Sequence, residues 1–269
     1  VELNPFLVWF GSVKLRRLGR QVVRRCELAL QRVMLRFGDD PVLPPPIHKI
    51  ERWWTPPVLA WLCALKGAID AESALSRDLL TIAFCRTMMA LSSASFGHVS
   101  MSFGDARTPD DLEDAARTQF FEDVAHVLAG ASASPKRPGR VHRGDARTLT
   151  PLQGQQFDVV VTSPPYPNRM SYIRELRPYM YWTGHLQVAK QAGELDWKAI
   201  GGTWGVATSR LAKWTRSTSA RPASLETLLP KIAVAHPKNG PLLAAYVDRY
   251  FEDAATHLAA LRPLVAKGG

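Results

Sequence analysis

FDVVVTSPPYPNRMSYIREL, residues 157–176, is the stretch whose reading decides the fold. Phe157 to Thr162 is an apolar run without alternation, as expected of a strand covered by helices on both faces of a parallel sheet. Ser163-Pro164-Pro165-Tyr166 follows directly, at the carboxyl end of that strand, where open α/β sheets gather their ligands. Two prolines stiffen the backbone into an extended shape and fix the direction of the Pro164 carbonyl. That carbonyl and the Ser163 hydroxyl are two acceptors suited to an exocyclic amino group. Tyr166 offers a flat face on which a base drawn out of a duplex would stack. A Pro-rich turn with a bystander tyrosine is the plainer alternative for the same four residues.

Working outward, Val141-His142-Arg143 reads as a second short strand running into Gly144-Asp145-Ala146-Arg147. Downstream, 168–186 suggest helix, 187–240 read as irregular and basic, and 241–263 as an amphipathic helix before Gly268-Gly269. At the start, Glu2 precedes Asn4-Pro5, the pattern of a strand end passing into a helix. Residues 5–36 read as helix carrying eight cations (Lys14, Arg16, Arg17, Arg20, Arg24, Arg25, Arg32 and Arg36), either a solvated face or a phosphate-contacting one. A Pro-rich break at 39–46, helices at 57–69, 72–93 and 111–130, and loops at 92–107 and 131–140 follow. This rhythm predicts an open, doubly wound α/β sheet with a helical insertion. The expected division is a core of 1–36 and 141–269 and an insertion of 37–140. Both ends read as cut one element short of a complete sheet.

Composition excludes several classes. The chain has 269 residues, 46% hydrophobic and 22% charged, which is ordinary globular usage rather than disorder or a fibre. A net charge of +10 favours a polyanionic partner, nucleic acid first. Cys26, Cys63 and Cys85 lack CxxC spacing, so neither a disulfide framework nor a zinc site is indicated. The seven histidines show no metal-ligand spacing, and no metal is expected. No apolar run approaches the roughly 18 residues of a membrane span. The sequence therefore predicts a soluble, cytoplasmic protein without a membrane partner.

VELNPFLVWFGSVKLRR, GDAR and FDVVVTSPPYPNRMSYIREL together resemble consecutive motifs of the amino-group DNA methyltransferases that use S-adenosylmethionine. The SPPY form is similar to the cytosine-N4 branch, whereas adenine-N6 enzymes more often carry DPPY or NPPY. The resemblance covers 1–18, 141–186 and 241–269, and it implies a Rossmann-like class I methyltransferase sheet. It implies that Glu2 accepts from the cofactor's ribose hydroxyls, that Asn4, Pro5 and Phe6 lie against its adenine, and that Asp145 accepts from the adenine amino group. Ser163, Pro164, Pro165 and Tyr166 would grip the target base and carry the catalytic step. The family's glycine-rich first motif is missing ahead of Glu2, and no Gly-x-Gly string replaces it. An adenine-N6 or RNA-base enzyme, or a DNA-binding remnant without catalysis, remains an alternative.

Residues 167–240 interleave cations (Arg169, Arg174, Arg177, Lys190, Lys198, Arg210, Lys213, Arg216 and Arg221) with Trp182, Trp197, Trp204 and Trp214. That mixture suits phosphate contact with base stacking and marks a candidate target-recognition region, with Arg169, Arg174, Arg210 and Lys213 as the DNA-binding residues. Buried tryptophans behind a solvated basic rim are the alternative.

Overall fold

Helices carry most of the chain. The structure, a computed structural model, describes all residues except 17, 96–101, 106–107, 134–136, 168–170, 204, 218–220 and 269, and for 206–207 the backbone alone. The chain divides into two compact units, one of Val1–Val8, Val141–Arg177 and Val188–Gly269, the other of Trp9–Arg140 and Pro178–Gln187. The division falls inside two helices, α1 (Pro5–Lys14) and α6 (Tyr172–Trp182).

The second unit is helical: α2 (Arg20–Leu35), α3 (Pro56–Asp70), α4 (Ala74–Ala90) and α5 (Leu112–Ser132). Its core is built from Trp54, Leu62, Leu65, Ile69, Leu80, Phe84, Met88 and Phe120, all fully buried. The Trp54 indole donates to the Met88 carbonyl at 2.7 Å, so this fully buried ring has its polar atom satisfied. Trp182 meets the rings of Trp54 and Phe84 edge-on, which settles it as a core residue rather than a stacking platform. Its indole nitrogen is buried without a partner among the described residues. Asp111 caps α5 by accepting from the Asp114 amide, with Glu113 and Asp114 in the first turn, where acids suit the positive end of the helix dipole.

The single helix expected over 5–36 is two helices. Leu18 is buried and Gly19 is extended (φ −94°, ψ 171°), which breaks the helical path and makes Gly19 the N-cap of α2. Cys26, Ala29 and Val33 then bury the inner face of α2 in this unit. The loop expected over 92–107 contains a small antiparallel sheet, β1 (Ala94–Ser95) paired with β2 (Ser102–Phe103). Phe103 anchors it, edge-on to Trp53 at 4.8 Å and under the Arg52 guanidinium.

The first unit carries α7 (Ala189–Lys198), α8 (Val206–Leu211), α9 (Ala223–Ala235) and α10 (Gly240–Leu261). Three of these lie in the stretch expected to be irregular. α10 was expected from its periodicity and spans nearly the predicted range.

Among the described residues, the expected parallel sheet is present only as two isolated parallel bridges, Glu2 with Arg143 and Phe157 with Val265. The buried central strand at 157–162 is a correction. Past Phe157 the segment makes no ladder among the described residues, and Val159 and Val161 are 75% and 93% exposed. A run of valines satisfies its backbone and covers its side chains only between neighbouring strands. Here only the Phe157 end has one, with Phe157 donating to Leu264 at 2.8 Å and accepting from Ala266 at 3.0 Å.

No described helix is long and apolar enough to cross a membrane.

Candidate functional site

The first unit brings several predicted residues to one place through its Glu2–Arg143 bridge. The Glu2 amide donates to the His142 carbonyl at 2.9 Å, and the Gly144 amide donates to the Glu2 carbonyl at 3.0 Å. The segments ending in Asn4 and Asp145 therefore run side by side in the same direction. A Cβ on Gly144 would lie 2.9 Å from the Pro151 ring and 3.1 Å from Val1, so close approach demands glycine at this crossing.

Beyond the bridge each chain turns on its own side chains. Glu2 Oε1 accepts from the Asn4 amide at 2.7 Å, and buried Asn4 accepts from the Phe6 amide at 2.9 Å through Oδ1. Asn4 thus starts α1, with Pro5 at its first position, as Asn-Pro predicts. Phe6 is buried. The second carboxylate oxygen of Glu2 has no partner among the described residues.

Asp145 is held by Arg147, a residue the sequence reading left without a role. The Arg147 guanidinium donates to both Asp145 oxygens (2.7–3.1 Å) and to Asp253 Oδ1 at 3.0 Å, and its backbone amide also donates to Asp145 Oδ1. A further bond reaches the Lys198 carbonyl at 2.9 Å. Burial raises the Asp145 carboxyl and the Arg147 bonds lower it, and the net position is below the usual carboxylate range. For Asp253 burial dominates and its carboxyl is raised, despite Arg147 and Arg249 nearby. Its Oδ2 is buried without a hydrogen bond among the described residues. Burial likewise lowers Arg249, whose guanidinium lies 3.7 Å from the Trp197 ring centre and donates to the Trp197 carbonyl.

The Ser163–Tyr166 loop is exposed, with Tyr166 68% accessible. It is pinned from α10. Tyr250 donates to the Pro165 carbonyl at 2.7 Å and Tyr246 to the Tyr166 carbonyl at 3.4 Å. The Ser163 hydroxyl and the Pro164 carbonyl, the two predicted acceptors, have no partner among the described residues. Tyr246, Tyr250 and Asp253 stand at i, i+4 and i+7, so one face of α10 supports both the Asp145 turn and the base loop. The sequence carried that signal, polar residues along the inner stripe of an amphipathic helix, and the reading passed over it. No described bond joins the Ser163–Tyr166 loop to Glu2 or Asp145. A cavity of about 720 Å³ opens beside the turn after Asp145, lined by Thr148, Leu149, Gln153 and Leu264 among others and by none of the predicted site residues.

Two of the four candidate DNA contacts, Arg174 and Arg210, are already ion-paired. Arg174 bonds Glu175 at 3.0 Å, and Arg210 forms a two-pronged pair with Glu194 (2.6 and 2.8 Å). Arg216 and Arg221 both bind buried Asp248. Lys213 is exposed with no described carboxylate partner. Arg169 and Trp204 lie outside the described residues. Burial pushes the Cys26 and Cys85 thiols up to about 12 and Cys63 to about 11, so none is a ready thiolate nucleophile. Among the described residues, no group of three or more His, Cys, Asp or Glu is placed to hold a metal ion.

No known protein family, curated protein or solved structure matches this chain.

Proposed function

We propose that the first unit is the core of an S-adenosylmethionine-dependent DNA methyltransferase acting on the exocyclic N4 amine of cytosine. The observation that carries this reading is the parallel pairing of Glu2 with Arg143. It sets the acidic residue before Asn-Pro beside the strand that delivers Asp145, as a nucleoside-binding edge of a Rossmann-like sheet requires.

The residues present fit the nucleoside half of the cofactor. Glu2 retains an unengaged carboxylate oxygen for ribose hydroxyls. Asp145 is ionised, and although Arg147 donates twice to each of its oxygens, the Nε bond shared between the two (3.0 and 3.1 Å) is the one that would yield to an adenine amine. Bound there, S-adenosylmethionine supplies an electrophilic methyl group. The rest falls to the Ser163–Tyr166 loop. A base amine is a weak nucleophile because its lone pair is delocalised into the ring. Acceptance of its hydrogens by the Ser163 hydroxyl and the Pro164 carbonyl draws them from the ring plane and localises that pair. Tyr166 stacks the extruded base. Tyr250 and Tyr246 occupy the next two carbonyls, so Pro164 presents the free one. Catalysis is then orientation at near-attack distance, without a covalent intermediate. The amine takes the methyl from a sulfonium sulfur that keeps the bonding electrons, and releases one proton past the Ser163 hydroxyl to solvent.

Calorimetric titration with S-adenosylmethionine tests the site. Glu2→Ala is expected to weaken binding, while Tyr166→Ala leaves it nearly intact and removes about 1–3 kcal/mol of base stacking from DNA binding. Absence of binding by the unaltered chain contradicts the reading. Equal losses for Glu2→Ala and Tyr166→Ala contradict the base-pocket assignment.

A further inference from the structure

Many arginines in this protein pair with carboxylates, and among the described residues α2 carries both paired and unpaired ones. Arg32 and Arg36 share the buried carboxylate of Glu72. Arg20, Arg24 and Arg25 are exposed and have no acidic partner among the described residues. They fall within six residues, about 7.5 Å along the helix axis. Arg20 and Arg24 lie one turn apart on the same side.

This placement is unfavourable for folding. Like charges at i, i+4 destabilise a helix by a few tenths of a kcal/mol. The first turns are the positive end of the helix dipole, where cations are disfavoured. α2 has no acid in its first turn and no side-chain cap, in contrast to α5 with Asp111, Glu113 and Asp114. A local rule broken without any gain inside the fold points to a gain made outside it.

We propose that Arg20, Arg24 and Arg25 form a contact surface for the phosphate backbone of duplex DNA. Closely spaced guanidiniums on a 16-residue helix suit successive phosphates of one strand. α2 has no aromatic residue, so it offers no platform for stacking unpaired bases, which favours duplex over single strands. Its exposed apolar residues are Leu28 and Leu35, separated by Gln31, too little apolar surface for a helix lying in a membrane interface. The surface lies in the helical unit and does not rest on the methyl-transfer reading.

The test is fluorescence anisotropy of the full chain with a short labelled duplex of mixed sequence over a range of salt concentrations. The chain is compared with R20Q/R24Q/R25Q and with the charge-conserving R20K/R24K/R25K. Three phosphate contacts contribute about 2.7 to the slope of log affinity against log salt. Between about 50 and 200 mM salt, the unaltered chain should therefore lose about 40-fold more affinity than the glutamine variant. The lysine variant should keep the unaltered slope, and it decides the matter if the glutamine variant melts early. An unchanged slope in the glutamine variant overturns the proposal. So does a lysine variant that loses the slope while remaining folded, failure of the unaltered chain to bind duplex at the lowest salt, or arginine-dependent binding to phosphatidylserine vesicles in place of DNA.

Discussion

Arg147→Ala removes the one side chain that joins Asp145, Asp253 and the Lys198 carbonyl. The Arg147 side chain is 23% exposed, and its partners Asp145 and Asp253 are 31% and 11% exposed. Removing one partner of a fully buried ion pair costs about 3–5 kcal/mol, because the other charge stays behind uncompensated. Partial exposure of Asp145 lets water replace some of that loss, leaving about 2–4 kcal/mol. Most of it arises at Asp253, which already lacks a bond at Oδ2 and would retain only Arg249, 3.8 Å away. Urea unfolding should show the first unit melting earlier by that amount. Asp253→Asn in the same chain removes the stranded carboxylate, so R147A/D253N should recover part of the loss, with a coupling of about 1–3 kcal/mol in the double-mutant cycle. A change within about 0.5 kcal/mol for Arg147→Ala, the range of ordinary surface substitutions, refutes the claim that this hub organises the site.

Asp248, buried against Arg216 and Arg221, is lowered on balance, burial raising it and the two arginines lowering it more. Folding therefore depresses its pKa, so its stabilisation is complete above the ordinary carboxylate value near 4 and is lost as pH falls through the lowered value. Asp248→Asn should flatten the acid limb of a stability-against-pH curve, and an unaltered limb would count against the pairing. Gly67→Ala in α3 would set a Cβ 2.0 Å from the Asp40 carbonyl oxygen. Overpacking against backbone should cost about 1–3 kcal/mol in a thermal melt, although alanine is the better helix former. In the recognition region, Lys213→Ala should reduce the salt slope of DNA affinity by about one unit. Arg210→Ala should change it less, because Glu194 already neutralises that guanidinium; equal effects would show the pair opening on DNA.

Legibility from sequence followed period and length. α3, α4, α5 and α10 are long and strongly patterned, and each was readable to within a few residues. The break at Gly19 was not, because the cations on either side continue one polar pattern through it. α7, α8 and α9 were hidden because they are short or interrupted, with Gly193 inside α7 and Pro230 inside α9. The valine run misled for a different reason, since apolar sequence states what a segment would bury, not whether a neighbouring strand is there to bury it. At the site, Asn4-Pro5 and the turn at Asp145 were legible as local chemistry. The polar inner stripe of α10 marks Tyr246, Tyr250 and Asp253, but their partners lie 80 to 106 positions away, and neither that stripe nor the turn at Arg147 reports which distant residues they meet.

The central claim is methyl transfer to a base amine, and nucleoside mass spectrometry tests it most directly. Duplex DNA is incubated with the chain and methyl-labelled S-adenosylmethionine, then digested to nucleosides. The account predicts labelled N4-methylcytosine, with Ser163→Ala lowering the rate more than it lowers DNA affinity. DNA that remains unlabelled while the chain demonstrably binds both DNA and S-adenosylmethionine would contradict it.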